Sequence, residues 1–144
     1  MGLTAPALLV LSGALAGGAC LPIPNSYVTS PRLVGSYRAP DGTPLGLQSI
    51  GVAADSSCRE PLAVTLSDSS GAFMLPATQH TLDFIVLLPF DRAAMPYTVC
   101  GHTTAGWRAV GGSNARTSDQ VDAVTCVGAK VPGQPPLCTI HSKE

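Results

Sequence analysis

Leu62-Ala63-Val64-Thr65-Leu66-Ser67-Asp68-Ser69-Ser70-Gly71-Ala72-Phe73-Met74-Leu75 reads as two short strands around a tight turn. The first run is apolar and β-branched, the middle is polar, and Gly71 supplies the positive φ that the return needs. Phe73 and Leu75 then resume an apolar face at a spacing of two. Apolar runs this short, bounded by turn chemistry, suit strands better than helices. Asp68, Ser69 and Ser70 offer too few oxygens for calcium, which takes six or more, so the turn reading holds.

The same grammar extends in both directions. Upstream, Arg32-Leu33-Val34-Gly35-Ser36-Tyr37-Arg38 ends at the turn Ala39-Pro40-Asp41-Gly42-Thr43-Pro44, and a strand over 47–54 breaks at Asp55-Ser56-Ser57. Downstream, residues 82–88 are apolar on both faces, as in a strand inside a sheet. Tyr97-Thr98-Val99-Cys100 and Trp107-Arg108-Ala109-Val110 are further strands. Residues 118–124 read either as a two-turn helix capped by Ser118 or Asp119, or as a strand with Val121 and Val124 inward. Residues 131–136 form a Pro/Gly loop pinned by Cys138. The expected fold is all-β, a small antiparallel β-sandwich of about seven strands, Ig-like in build. It spans 31–144, with a disulfide-pinned extension at its C-terminal end.

Gly35-x-Tyr37, Asp41-Gly42-Thr43-Pro44-Leu45 and Ser67-Asp68-x-x-Gly71-x-Phe73 together resemble the carboxypeptidase regulatory-like family. The resemblance covers about residues 32–100 and implies a transthyretin-like β-sandwich. Members of that family are mostly non-catalytic modules that support folding, adhesion or assembly, so the resemblance implies a scaffold. As a likeness of fold it carries little functional weight.

Residues 1–31 hold no charged side chain, and residues 3–16 are an apolar run. That run is too short to cross about 30 Å of hydrocarbon as a helix but fits the core of a signal peptide. Cleavage after Ala14-Leu15-Ala16 would release a soluble secreted or periplasmic protein. Gly17-Gly18-Ala19-Cys20 resembles a bacterial lipobox, which makes 1–19 the signal peptide and Cys20 the lipidated residue. A buried N-terminal helix is the third reading. Five cysteines leave one unpaired in an oxidising compartment, and lipidation of Cys20 removes the odd one. Residues 20–30 then form a Pro-rich tether. Leu21 stands where an Asp would resemble an inner-membrane retention signal, so the expected place is the outer membrane, facing the periplasm or the surface.

Cys58, Cys100, Cys126 and Cys138 remain. In an exported domain they are expected as two disulfides, with Cys58–Cys100 and Cys126–Cys138 favoured among the three connectivities. The competing reading is zinc held by Cys100, His102, Cys138 and His141, but neither spacing is a knuckle and the compartment favours cystine.

The formal net charge is −1 and no Lys/Arg run exists, so nucleic acid is excluded as a partner. No G-x-S-x-G, P-loop or dinucleotide fingerprint occurs, and no cofactor or catalytic set is expected. His80, His102 and His141 are expected in turns or near the terminus. Trp107 is expected to fill the sandwich core or, with Tyr97, His102, Arg108 and the run Gly111-Gly112-Ser113-Asn114, to form a sugar- or peptide-binding platform. The expected function is therefore non-enzymatic: an envelope lipoprotein, held to a membrane by its lipid, that scaffolds or docks onto an envelope protein assembly. The alternative is a carbohydrate- or peptide-binding module centred on Trp107.

Overall fold

In the strand Arg32–Arg38, Leu33 and Tyr37 are buried while Arg32, Val34 and Arg38 face solvent, the period-two pattern of a sheet with one wet face. The computed structural model of the chain describes residues 25–82, 94–117 and 119–142. Among them lie ten strands and no helix: β1 (Asn25–Ser30), β2 (Arg32–Arg38), β3 (Ser49–Ala53), β4 (Ala63–Leu66), β5 (Ala72–Leu75), β6 (Thr78–Leu82), β7 (Met95–Thr103), β8 (Gly106–Ala115), β9 (Val121–Val127) and β10 (Leu137–Ser142).

Two four-stranded sheets, β10-β9-β2-β5 and β4-β3-β7-β8, face each other as a β-sandwich, and β1 pairs with β6 in a separate ribbon. Leu33, Tyr37, Phe73, Leu75, Val124 and Cys126 from one sheet meet Ile50, Val52, Tyr97, Val99 and Val110 from the other. The sheets approach along both edges, β8 beside β10 and β4 beside β5. The pairing departs from the antiparallel expectation once: β2 and β9 run parallel. Parallel neighbours need a crossover, and here the chain between them passes through the opposite sheet.

The three motif fragments quoted above pack on one another. Tyr37 N–H donates to the Gly71 carbonyl (2.7 Å), and Leu45 N–H donates to the Tyr37 carbonyl (3.0 Å). Ser67 Oγ donates to the Leu45 carbonyl at 2.7 Å. Gly71 has φ +77° and lies against the Tyr37 carbonyl, so a side chain there meets both strain and backbone. Gly35 leaves the space across which the Phe73 ring lies. Asp68 accepts from Ser70 N–H, Ser70 Oγ–H and Ala72 N–H at 2.6–3.0 Å, which fixes the turn.

Several expectations are corrected. Residues 25–30, expected in a tether, form β1. His80 lies in β6 and His102 in β7, exposed strand positions rather than turns, and His141, expected near the terminus, is an exposed residue of β10. Of the segment 118–124, expected as helix or strand, Ser118 lies outside the described residues and 121–124 belong to β9, with Val124 inward but Val121 outward, because Asp122 and Cys126 share the inner face with Val124. The signal peptide, Cys20 and most of the apolar window at 82–88 lie outside the described residues.

Candidate ligand-binding face

Alternation that buries Ile50 and Val52 of β3 turns Gly51 and Ala53 to the outer face of the sheet. In β7, Tyr97 and Val99 point inward and Cys100 points outward. The β7–β8 register shifts at this point, where Val99 pairs with Gly111 and Cys100 with Ala109. The extra residue, Val110, bulges into the core. Alternation along β7 presents Cys100 to the loop at 54–62, and the structure joins it to Cys58 across a Cα separation of 5.9 Å.

Ala53, Cys58 and Cys100 form a small second cluster outside the main core, and Trp107 packs on it half-buried. The indole also lies against Gly51 and meets the ring of His102, its cross-strand partner, edge to face at 5.0 Å. Cys58 itself has φ +52°, a left-handed conformation that costs a non-glycine residue roughly 1–2 kcal/mol. Before it, Asp55 accepts from Ser57 N–H (2.8 Å) and Ser57 Oγ–H (2.6 Å). Those bonds, with the Arg59 charge as a smaller influence, hold the Asp55 carboxyl below its ordinary range.

Beside this cluster runs an open groove of about 690 Å³ between the 54–62 loop and the turn at 133–135, with the β7–β8 hairpin as its floor. Arg59 enters from the loop and Arg108 from β8, together with Ser56, Thr103 and Gln134. Among the described residues no carboxylate lines it.

A polar network crosses the interior instead. Asp122, fully buried, accepts from the Tyr97 hydroxyl and from Gln120 Nε2 at 3.0 and 3.1 Å. Gln120 Nε2 also donates to the Asn114 carbonyl (3.1 Å), and its Oε1 accepts from Arg116 N–H (2.7 Å). Burial first, then the hydrogen bond to Asp122 and its charge, pushes the Tyr97 phenol well above its ordinary range. No described buried side-chain polar atom is left without a partner. The network ties β7 of one sheet to β9 of the other.

The residues expected at a site are thus divided. Trp107 is not in the sandwich core, because its strand position faces outward. Tyr97 does not accompany it: only 1 % exposed, it lies on the other face of the same sheet. The run Gly111-Gly112-Ser113-Asn114, expected beside Trp107, is the second half of β8. Cys126 and Cys138 are direct cross-strand partners and form the second disulfide. The four-residue zinc set is dismantled, since both of its cysteines are spent in disulfides with other partners.

Two features escaped the sequence reading. Asp122 carried a signal, because strict alternation through Asp122, Val124 and Cys126 places it inside. Arg108 was expected beside Trp107, but Arg59 carried no signal, since only the fold brings the loop and the hairpin together. No family model matches the chain, and no curated protein matches it.

Proposed function

We infer that this chain is an exported, non-enzymatic β-sandwich, lipid-tethered through Cys20 at the outer membrane, that docks onto a partner in the cell envelope. The observation that carries the docking surface is Trp107, a large aromatic left outside the core and fastened beside a disulfide-held loop. A half-buried aromatic on a rigid base loses little freedom on binding, which is why such residues serve as anchors. The packing of Gly35, Tyr37, Gly71 and Phe73 supports kinship with the carboxypeptidase regulatory-like sandwich. Replacing Cys20 by Ser tests the tether: the protein moves from the membrane to the soluble fraction, and an unchanged distribution refutes lipidation.

The second reading is a module that engages carbohydrate or peptide directly at Trp107, favoured by its half-buried place outside the core, with an open groove lined by other residues of the same hairpin. Trp107→Ala separates the two. If the face only scaffolds, the change lowers stability and glycans are retained no better than by a control domain. If it binds a ligand, folding survives and retention on one polysaccharide is lost.

A further inference from the structure

The chain has only eight Lys and Arg residues in all, yet Arg59 and Arg108 converge on one groove. We propose that this groove binds an acidic polysaccharide, with the two guanidinium groups taking its carboxylates or sulfates. The proposal rests on the second reading above and gives it a ligand class.

Four observations bear on the ligand. Guanidinium forks match planar or tetrahedral oxyanions in two-pronged hydrogen bonds, and here no described carboxylate lines the groove to occupy them. Asp55 feels the Arg59 charge, but its carboxylate is engaged by Ser57 N–H and Oγ–H. The lining also offers the Ser56 hydroxyl and the Gln134 amide, which suit a hydroxyl-rich chain better than apolar side chains. The groove, about 690 Å³, is open, so a polymer can lie along it with a few units in contact.

The loop that carries Arg59 is also built to hold its shape. Cys58 precedes it directly, cross-linked to Cys100 and kept in the left-handed region. A fixed backbone limits the entropy lost when the arginine is immobilised by a ligand.

The test is affinity electrophoresis and calorimetry of the oxidised domain against alginate (a polyuronate), heparin (sulfated), dextran (neutral) and poly-glutamate (an acidic peptide). The expected result is binding to alginate, heparin or both, weakened by salt and undetectable for dextran. Either Arg59→Gln or Arg108→Gln weakens it by about tenfold or more, as the loss of a charged hydrogen bond predicts. Both arginines are exposed, so thermal melting of each variant should match the parent. Unchanged glycan binding by the double variant overturns the proposal. If Trp107→Ala alone abolishes glycan binding, the face is a binding site and the charge assignment is wrong. Poly-glutamate bound as tightly as alginate overturns the glycan class. If none of the four binds, the proposal fails, whereas the tether and docking reading is decided separately by the Cys20→Ser fractionation.

Discussion

Cys126–Cys138 lies within the inter-sheet core, whereas Cys58–Cys100 lies on the outer side of the β4-β3-β7-β8 sheet beneath Trp107. The first cross-link joins residues that β9–β10 pairing already places opposite each other. The second joins a loop to a strand with which it shares no ladder, and holds Cys58 in a conformation it would not choose alone. Reinforcement of pairing is one use of a disulfide; fastening a surface is another. The core can then be regular, with its apolar residues alternating, while the outer face carries irregular backbone and the residues offered for contact.

The sharpest way to break this comparison is to truncate one aromatic on each side. Phe73→Ala, inside the core, should lower unfolding stability by about 3–5 kcal/mol, the usual range for a buried aromatic. Trp107→Ala, half-exposed on the outer cluster, should lose only about 1–2 kcal/mol of burial. Chemical denaturation of both variants decides the matter, and equal losses would mean that the outer cluster is a second core.

Removing the cross-links comes next. Loop-closure entropy gives about 4 kcal/mol for the longer Cys58–Cys100 loop and about 3 kcal/mol for the shorter Cys126–Cys138 loop, on substitution of each pair by Ala. The patterns should differ as well. Loss of Cys58–Cys100 should open the 54–62 loop to cleavage at Arg59 under native conditions, while loss of Cys126–Cys138 should leave that site protected. Limited proteolysis with trypsin distinguishes them.

Tyr97→Phe removes the hydroxyl that a buried carboxylate accepts from, and should destabilise by about 1.5–3 kcal/mol. The parent protein should also lose stability in alkali. The Tyr97 phenol is raised above its ordinary range in the folded state. Its contribution is therefore full below about pH 10, the unfolded value, and declines as pH rises toward the folded value. Denaturation midpoints measured between neutral pH and strong alkali should fall more steeply in the parent than in Tyr97→Phe.

The smallest effect is on the acid side. Asp41, through the Thr43 amide, Asp55, through Ser57, and Asp68, through the Ser70 hydroxyl and Ala72 amide, are all held below the usual carboxylate range. Stabilisation from depressed carboxylates is complete above about pH 4 and disappears as pH falls through the folded values. All three are fully exposed turn residues, so a shallow decline below pH 4 is expected, reduced further in Asp68→Ala.

What was legible in the sequence follows the same division. Leu33 and Tyr37, Phe73 and Leu75, and Val124 and Cys126 declare the inner face by alternation, and the turns at Asp41-Gly42 and Asp68–Gly71 separate the strands. The β1–β6 ribbon was hidden because Asn25-Ser26-Tyr27-Val28-Thr29-Ser30 and Thr78-Gln79-His80-Thr81-Leu82 are mostly polar. They pair through the backbone and through hydroxyls such as those of Thr29 and Ser30 with Thr78, both at 2.7 Å. Alternation with Val124 and Cys126 points Asp122 inward, but a carboxylate in the core is rare unless paired, and its partner Tyr97 belongs to a different sheet. The groove depends on two loops meeting, which no local pattern records.

Intact-mass and non-reducing peptide mapping of the protein from its native cell tests the central claim most directly, that an exported domain carries its sulfurs oxidised in pairs or acylated. The account predicts a chain beginning at an acylated Cys20, with peptides linked Cys58 to Cys100 and Cys126 to Cys138. A product that retains Met1 and carries five free thiols would contradict it.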